Sequence, residues 1–103
     1  VLCLIARDRA GPRIAAQVLT YPIVDCDFDR PSYRAHADGC FLTRRDMQWF
    51  WKHYVASPDQ MPDPLASPLR STSHAGLPPA YILTAEYYPL RDEGAAYAAA
   101  LRD

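Results

Sequence analysis

Gly76-Leu77-Pro78-Pro79-Ala80-Tyr81-Ile82-Leu83-Thr84-Ala85-Glu86-Tyr87-Tyr88-Pro89-Leu90-Arg91-Asp92-Glu93-Gly94 runs from a proline-marked start, through an apolar stretch, into the charged opening of a helix. Pro78-Pro79 punctuate the chain, so the run from Ala80 to Ala85 reads as a strand with a clean beginning. The run shows no strict polar alternation, which predicts a strand buried on both faces, as in a parallel sheet. From Arg91 to Asp103 the chain is rich in Ala and Leu and reads as a helix, with Asp92 in its first turn near the positive end of the dipole.

Upstream, Ala15 to Tyr21 is a second apolar, partly β-branched run, closed by Pro22, and is read as the partner strand. Between the two strands, Thr43 to Val55 is the clearest helix: Thr43 serves as N-cap with Asp46 three residues on, an approximate capping box. Met47, Phe50, Trp51 and Tyr54 fall at i, i+3, i+4 and i+7, one apolar stripe expected to pack in the core. Trp49 and His53 lie off that stripe, and Trp49 is a weaker candidate for facing a pocket. The first residues, Val1 to Arg9, read as a helix whose last turn holds Arg7 and Arg9 and which Gly11-Pro12 stops. The order is helix, strand, helix, strand, helix. Two long connections remain, Ile23 to Leu42 and Ser57 to Pro79, and the second carries six of the ten prolines, an ordered surface crossover. The reading is an α/β fold with parallel strands and a helical, right-handed crossover. Two parallel strands leave both edges open, so the sheet is expected to be incomplete. Both termini fall inside helix-compatible runs, and residues 1–103 are expected to be an internal piece of one larger domain.

Composition excludes several classes. Eleven basic residues stand against twelve acidic ones, a net charge of −1. That balance leaves no basic stripe for nucleic acid and no acidic tail for a basic partner. No apolar run approaches a membrane span and no secretory pattern is present. Cys3, Cys26 and Cys40 are an odd count without C-x-x-C spacing, indicating neither a disulfide framework nor a zinc site. A reducing, cytoplasmic compartment is the expected location. The oligomeric state is not legible.

The chemistry-bearing residues do not assemble into a site by themselves. None of Ser32, Ser57, Ser67, Ser71 and Ser73 stands in a G-x-S-x-G elbow, the strained turn that exposes a nucleophilic hydroxyl. Four glycines are too few for a phosphate-cradling loop. His36, His53 and His74 have no nucleophile motif nearby and read as surface or loop residues, while Cys3 and Cys40 read as packing residues. Asp25-Cys26-Asp27-Phe28-Asp29 mimics the start of a calcium loop, but Arg30 and His36 occupy the positions that need Gly and Glu. A turn whose acids pair nearby arginines is the better account. His36 and Cys40 lack two further ligands for zinc. No metal or cofactor is expected.

The segment Gly76 to Gly94 closely resembles the strand-to-helix segment of the α/β-hydrolase fold-3 group, the esterases and lipases related to hormone-sensitive lipase. Other stretches match in order: Tyr21-Pro22, Pro31-Ser32-Tyr33, Ala37-Asp38-Gly39, Leu42-Thr43 with Phe50-Trp51 and Tyr54, and Asp63-Pro64-Leu65-Ala66-Ser67-Pro68-Leu69. The resemblance spans essentially the whole chain and implies a partial α/β-hydrolase fold. It also implies hydrolysis of a small ester by a Ser, Asp and His set in that chain order. The serine elbow and oxyanion motif would precede Val1, and the histidine would follow Asp103, so this chain alone is expected to be inactive.

The acid is the one group the resemblance places within this stretch. In the family it opens the D-P-L-R-D-E-G motif after the strand, and here that position is Tyr88. A tyrosine, with an ordinary pKa of about 10, cannot hold an imidazolium as a carboxylate does. Glu86 and Asp92 flank it as candidate substitutes; Glu86 lies two residues back along the strand, about 7 Å away. The alternative reading is a non-catalytic member of the fold used for binding or interaction.

Overall fold

The computed structural model describes residues 1–39 and 41–103, so Cys40 and its expected packing role lie outside the described residues. Six regular elements follow one another: α1 (Leu2–Asp8), β1 (Gln17–Thr20), α2 (Pro31–Ala35), α3 (Arg44–Tyr54), β2 (Ala80–Leu83) and α4 (Arg91–Arg102). Two short 3-10 turns, Pro58–Gln60 and Pro68–Arg70, punctuate the proline-rich connection. The strands are shorter than the apolar runs that predict them. The connections are more structured than expected, since α2 forms inside the first and Pro31 opens it at a position where its absent N–H is no loss.

β1 and β2 pair in parallel, with Gln17 opposite Ala80 and Thr20 opposite Leu83. The ladder is extended at both ends, where Gln17 N–H donates to Pro79 O and Tyr21 N–H to Leu83 O, each at 2.9 Å. This is the α/β arrangement, in the form of a two-stranded, unclosed parallel sheet consistent with a partial fold. The expected burial of both strand faces is corrected here: Val18 is 72% exposed and Tyr81 66%. One face meets α4, and no described element covers the other.

Local signals hold most firmly where partners are near in sequence. In α3, Thr43 Oγ1 accepts from Asp46 N–H and the Asp46 carboxylate accepts from Thr43 N–H, both at 3.0 Å. At the end of α1, Gly11 N–H donates to Ala6 O at 2.8 Å and Ala10 N–H to Arg7 O at 3.3 Å, a Schellman turn. Its left-handed residue is Ala10 (φ 47°), one position before the glycine that the sequence offers. Gly11 instead lies against α1, where an added Cβ would sit 3.4 Å from Ala6 Cα.

The main core is formed by Tyr33, Met47, Trp51 and Leu90, from α2, α3 and the turn before α4, with Cys26, Phe28, Met61 and Tyr88 packed around it. Burying each large side chain contributes about 1.5–3 kcal/mol. Only half of the α3 stripe takes part. Met47 and Trp51 are buried, whereas Phe50 and Tyr54 are 49% and 67% exposed, which corrects the expectation of a fully packed stripe. Trp49 does not face a cavity; its ring stacks on His53 with centroids 4.2 Å apart on the exposed side of the helix.

Candidate active site

In open parallel sheets, ligand sites lie beyond the carboxyl ends of the strands. Here those ends are Tyr21-Pro22, after β1, and residues 84–90, the turn joining β2 to α4. Tyr21 has φ 47°, a left-handed backbone for a bulky residue that precedes proline. Such a conformation costs of the order of 1–3 kcal/mol and is retained where surrounding contacts hold it, often at functional sites. Tyr88 lies in the facing turn, its carbonyl accepting Arg91 N–H at 3.2 Å. The two phenol rings meet with centroids 5.3 Å apart and planes tilted by 53°. Burial, and secondarily the neighbouring Tyr21, push the Tyr88 phenol above its ordinary pKa, so the ring is neutral at physiological pH.

Neither flanking acid is held ready for an imidazole by its surroundings. Asp92 accepts the Ser32 backbone N–H at 2.7 Å and Arg91 Nε at 2.9 Å. Burial pushes its pKa up, but the hydrogen bonds from Arg91 and Ser32 outweigh it and keep the carboxyl below its ordinary value. The reciprocal bond from Asp92 N–H to Ser32 Oγ makes this pair a clasp between α2 and α4. Glu86 is exposed, and its backbone carbonyl accepts Arg91 Nη1 at 3.1 Å.

A third acid, absent from the candidates, is the most deeply placed. Glu93 has no solvent exposure. One carboxylate oxygen accepts the backbone N–H groups of Val24 (2.7 Å) and Asp25 (3.0 Å), and the other accepts the Tyr33 hydroxyl at 3.2 Å. Burial raises its pKa to about 7 despite those three bonds. The signal that finds it is spacing: Leu90, Glu93, Gly94 and Tyr97 stand at i, i+3, i+4 and i+7 and form the buried face of α4. Gly94 lets that face close on the strand, since an added Cβ would lie 2.8 Å from Thr84 Cγ2.

The acid-rich turn after β1 pairs arginines, as expected, and holds no metal cluster among the described residues. Asp25 bridges Arg30 at 2.7 Å and Arg70 at 2.6 Å, joining the two ends of the crossover, and Asp29 pairs with Arg44. The histidines are dispersed. His53 bonds to Trp49 O, His74 to Pro68 O, and His36 meets the edge of Tyr87 at 5.8 Å. A cleft of about 600 Å³ lies between α1 and the proline-rich approach to β2, at the opposite ends of the strands from Tyr88. No helix among the described residues is long and apolar enough to cross a membrane.

The sequence profile of the alpha/beta hydrolase fold matches residues 1–103. Among curated proteins, the chain is 44% identical over 107 residues to the carboxylic ester hydrolase LipN of Mycobacterium tuberculosis, covering 99% of this chain and 28% of that protein. It is 38% identical over 92 residues to an ethyl acetate hydrolase of Pseudomonas putida, covering 89% of this chain and 28% of the relative. The crystal structure of a thermostable esterase from Pseudomonas putida superposes with a TM-score of 0.93 at 42% identity, over 98% of this chain and 32% of the esterase. The chain thus spans less than a third of the length of these relatives. Over that span, in sequence and in backbone, it belongs to the alpha/beta hydrolase fold-3 family, among whose members are carboxylic ester hydrolases.

Proposed function

We propose that this chain is the crossover and strand-to-helix region of a carboxylic ester hydrolase acting on a small ester, and that Tyr88 occupies the place of its catalytic acid. The nucleophilic serine and the histidine of the set would lie outside residues 1–103, so these residues alone would not turn over. In such a set the serine oxygen attacks the acyl carbon, and its proton passes to histidine, which returns it to the departing alcohol; water then repeats the sequence on the acyl-enzyme. The acid's task is to accept the other imidazole N–H and balance the imidazolium charge. The observation that carries the reading is the seat of Tyr88 at the carboxyl end of β2, beside Tyr21, with its phenol kept neutral by burial. A neutral phenol supplies no charge, and loss of the acid costs about four orders of magnitude in turnover. The same observation favours a second reading, a member of the fold that binds without hydrolysing.

The test is a short-chain p-nitrophenyl ester assay on the full-length protein and its Tyr88→Asp variant. The expected result is a weakly active parent whose kcat rises by about three orders of magnitude with the carboxylate in place. A fully active parent that ignores the change sinks the assignment of position 88. No activity in either protein, with a folded variant, selects the binding reading.

A further inference from the structure

We infer that Tyr21 and Tyr88 together form an aromatic wall that selects esters carrying an aryl group, an inference that rests on the hydrolase reading above and names its substrate class. The two rings have different standing. Tyr88 is half-buried and backed by the core around Trp51 and Leu90, so it is fixed. Tyr21 is 41% exposed, and its direction is set by the left-handed turn at the end of β1, whose last ladder bond runs from its own N–H to Leu83 O. A bulky residue before proline is held there against its backbone preference, although glycine would satisfy the same turn at lower cost. The turn leaves one ring edge-tilted on its neighbour at 5.3 Å and part of its surface open at the strand ends, where substrate sites lie.

The chemistry of that surface is specific. Both phenols are uncharged at neutral pH by virtue of an ordinary or raised tyrosine pKa. A pair of neutral π-systems offers a third ring an offset or edge-on partner at centroid separations of 4.5–7 Å, a contact that an alkyl chain of the same length does not reproduce. A carboxylate at position 88 would present charge to the same space and no second ring. The substitution that weakens the acid's role therefore builds the wall.

The experiment uses the full-length protein, its Tyr21→Phe and Tyr21→Leu variants, and two matched pairs of esters, benzyl acetate with hexyl acetate and methyl phenylacetate with methyl hexanoate. The expected result is a kcat/KM ratio favouring the aryl ester in at least one pair, kept by Tyr21→Phe and reduced about tenfold by Tyr21→Leu, the size of one aromatic contact. Equal ratios in all three proteins overturn the wall while leaving the hydrolase reading intact. Binding of the unreactive ketones benzyl methyl ketone and 2-heptanone, measured by calorimetric titration, separates the two ideas. Aryl preference that Tyr21→Leu abolishes in a protein hydrolysing nothing supports the wall and overturns the hydrolase. Absence of aryl preference in both binding and turnover overturns the wall. Should Tyr21→Leu fail to fold, Tyr21→Gly, which relieves the left-handed backbone and removes the ring, replaces it with the same expected loss of preference.

Discussion

Glu93 accepts the backbone N–H of Val24 at 2.7 Å, from a carboxylate with no exposure to solvent. That bond joins the first turn of α4 to the loop leaving β1, segments 69 residues apart in sequence. Its consequence is geometric. Tyr21-Pro22 lies just upstream of Val24, and Tyr88 just upstream of Glu93, so one buried acid sets the separation of the two tyrosines at the mouth of the candidate site.

Glu93 should make stability fall with rising pH. Its folded pKa, about 7, lies above the ordinary value of 4.5. The protonated form is therefore favoured by folding, and this contribution is full below about 4.5 and lost as pH rises through about 7. Above that range the ionised carboxylate is kept at a cost on the order of a few kcal/mol. Glu93→Gln preserves an acceptor for Val24 and Asp25 and removes the titration. Thermal unfolding of the full-length protein should show the variant's melting temperature exceeding the parent's at pH 8, the difference shrinking toward pH 5. Parallel curves would show that Glu93 does not titrate there. Glu93→Ala should instead destabilise at every pH, by about 1–3 kcal/mol for each stranded N–H.

Asp25 should act in the opposite direction. Burial pushes its pKa up, but the hydrogen bonds from Arg30 and Arg70 prevail and hold it below 3.8. Its contribution is present above about 3.8 and is lost as pH falls through the depressed folded value. Asp25→Asn should cost about 3 kcal/mol, the low end for a broken buried pair because Arg70 is 42% exposed. The control is Asp29→Asn: Asp29, 67% exposed in its pair with Arg44, should be worth at most about 1 kcal/mol. Equal losses in urea titrations of the two variants would refute the ranking.

Gly94→Ala should destabilise despite favouring the helix. Alanine gains about 1 kcal/mol of helix propensity, but the new methyl meets Thr84 Cγ2 at 2.8 Å, and overpacking of this kind costs about 1–3 kcal/mol. Thr84→Ser removes that methyl. The double variant should therefore be more stable than Gly94→Ala alone, a coupling that a double-mutant cycle would report as favourable. Additive losses would place the cost of Gly94→Ala elsewhere.

What was readable in the residues alone is what depends on near neighbours or on pattern. Thr43 and Asp46 announce their capping box because both partners lie within one turn. Pro22 and Pro78-Pro79 mark the strands because proline constrains the backbone wherever it stands. The acids after β1 pair arginines as expected, although the span from Asp25 to Arg70 gives no local hint of which arginine. The family resemblance rests on ordered motifs of the same readable kind.

Burial and direction were settled only by the folded chain. Phe50 and Trp51 stand side by side on one stripe, yet only Trp51 meets the α2 and Leu90 side chains that close over it. Glu93 is a charged residue at a core-facing spacing, and its burial becomes tolerable only when Val24, Asp25 and Tyr33 arrive from some 60–69 residues away to satisfy it. Tyr21 takes its left-handed backbone from a ladder bond to Leu83 and a ring contact with Tyr88, neither within reach of a local reading. Caps and turns are local energies and are written locally. Whether a given face is covered depends on which distant segment packs against it, and that is decided when the parallel strands pair.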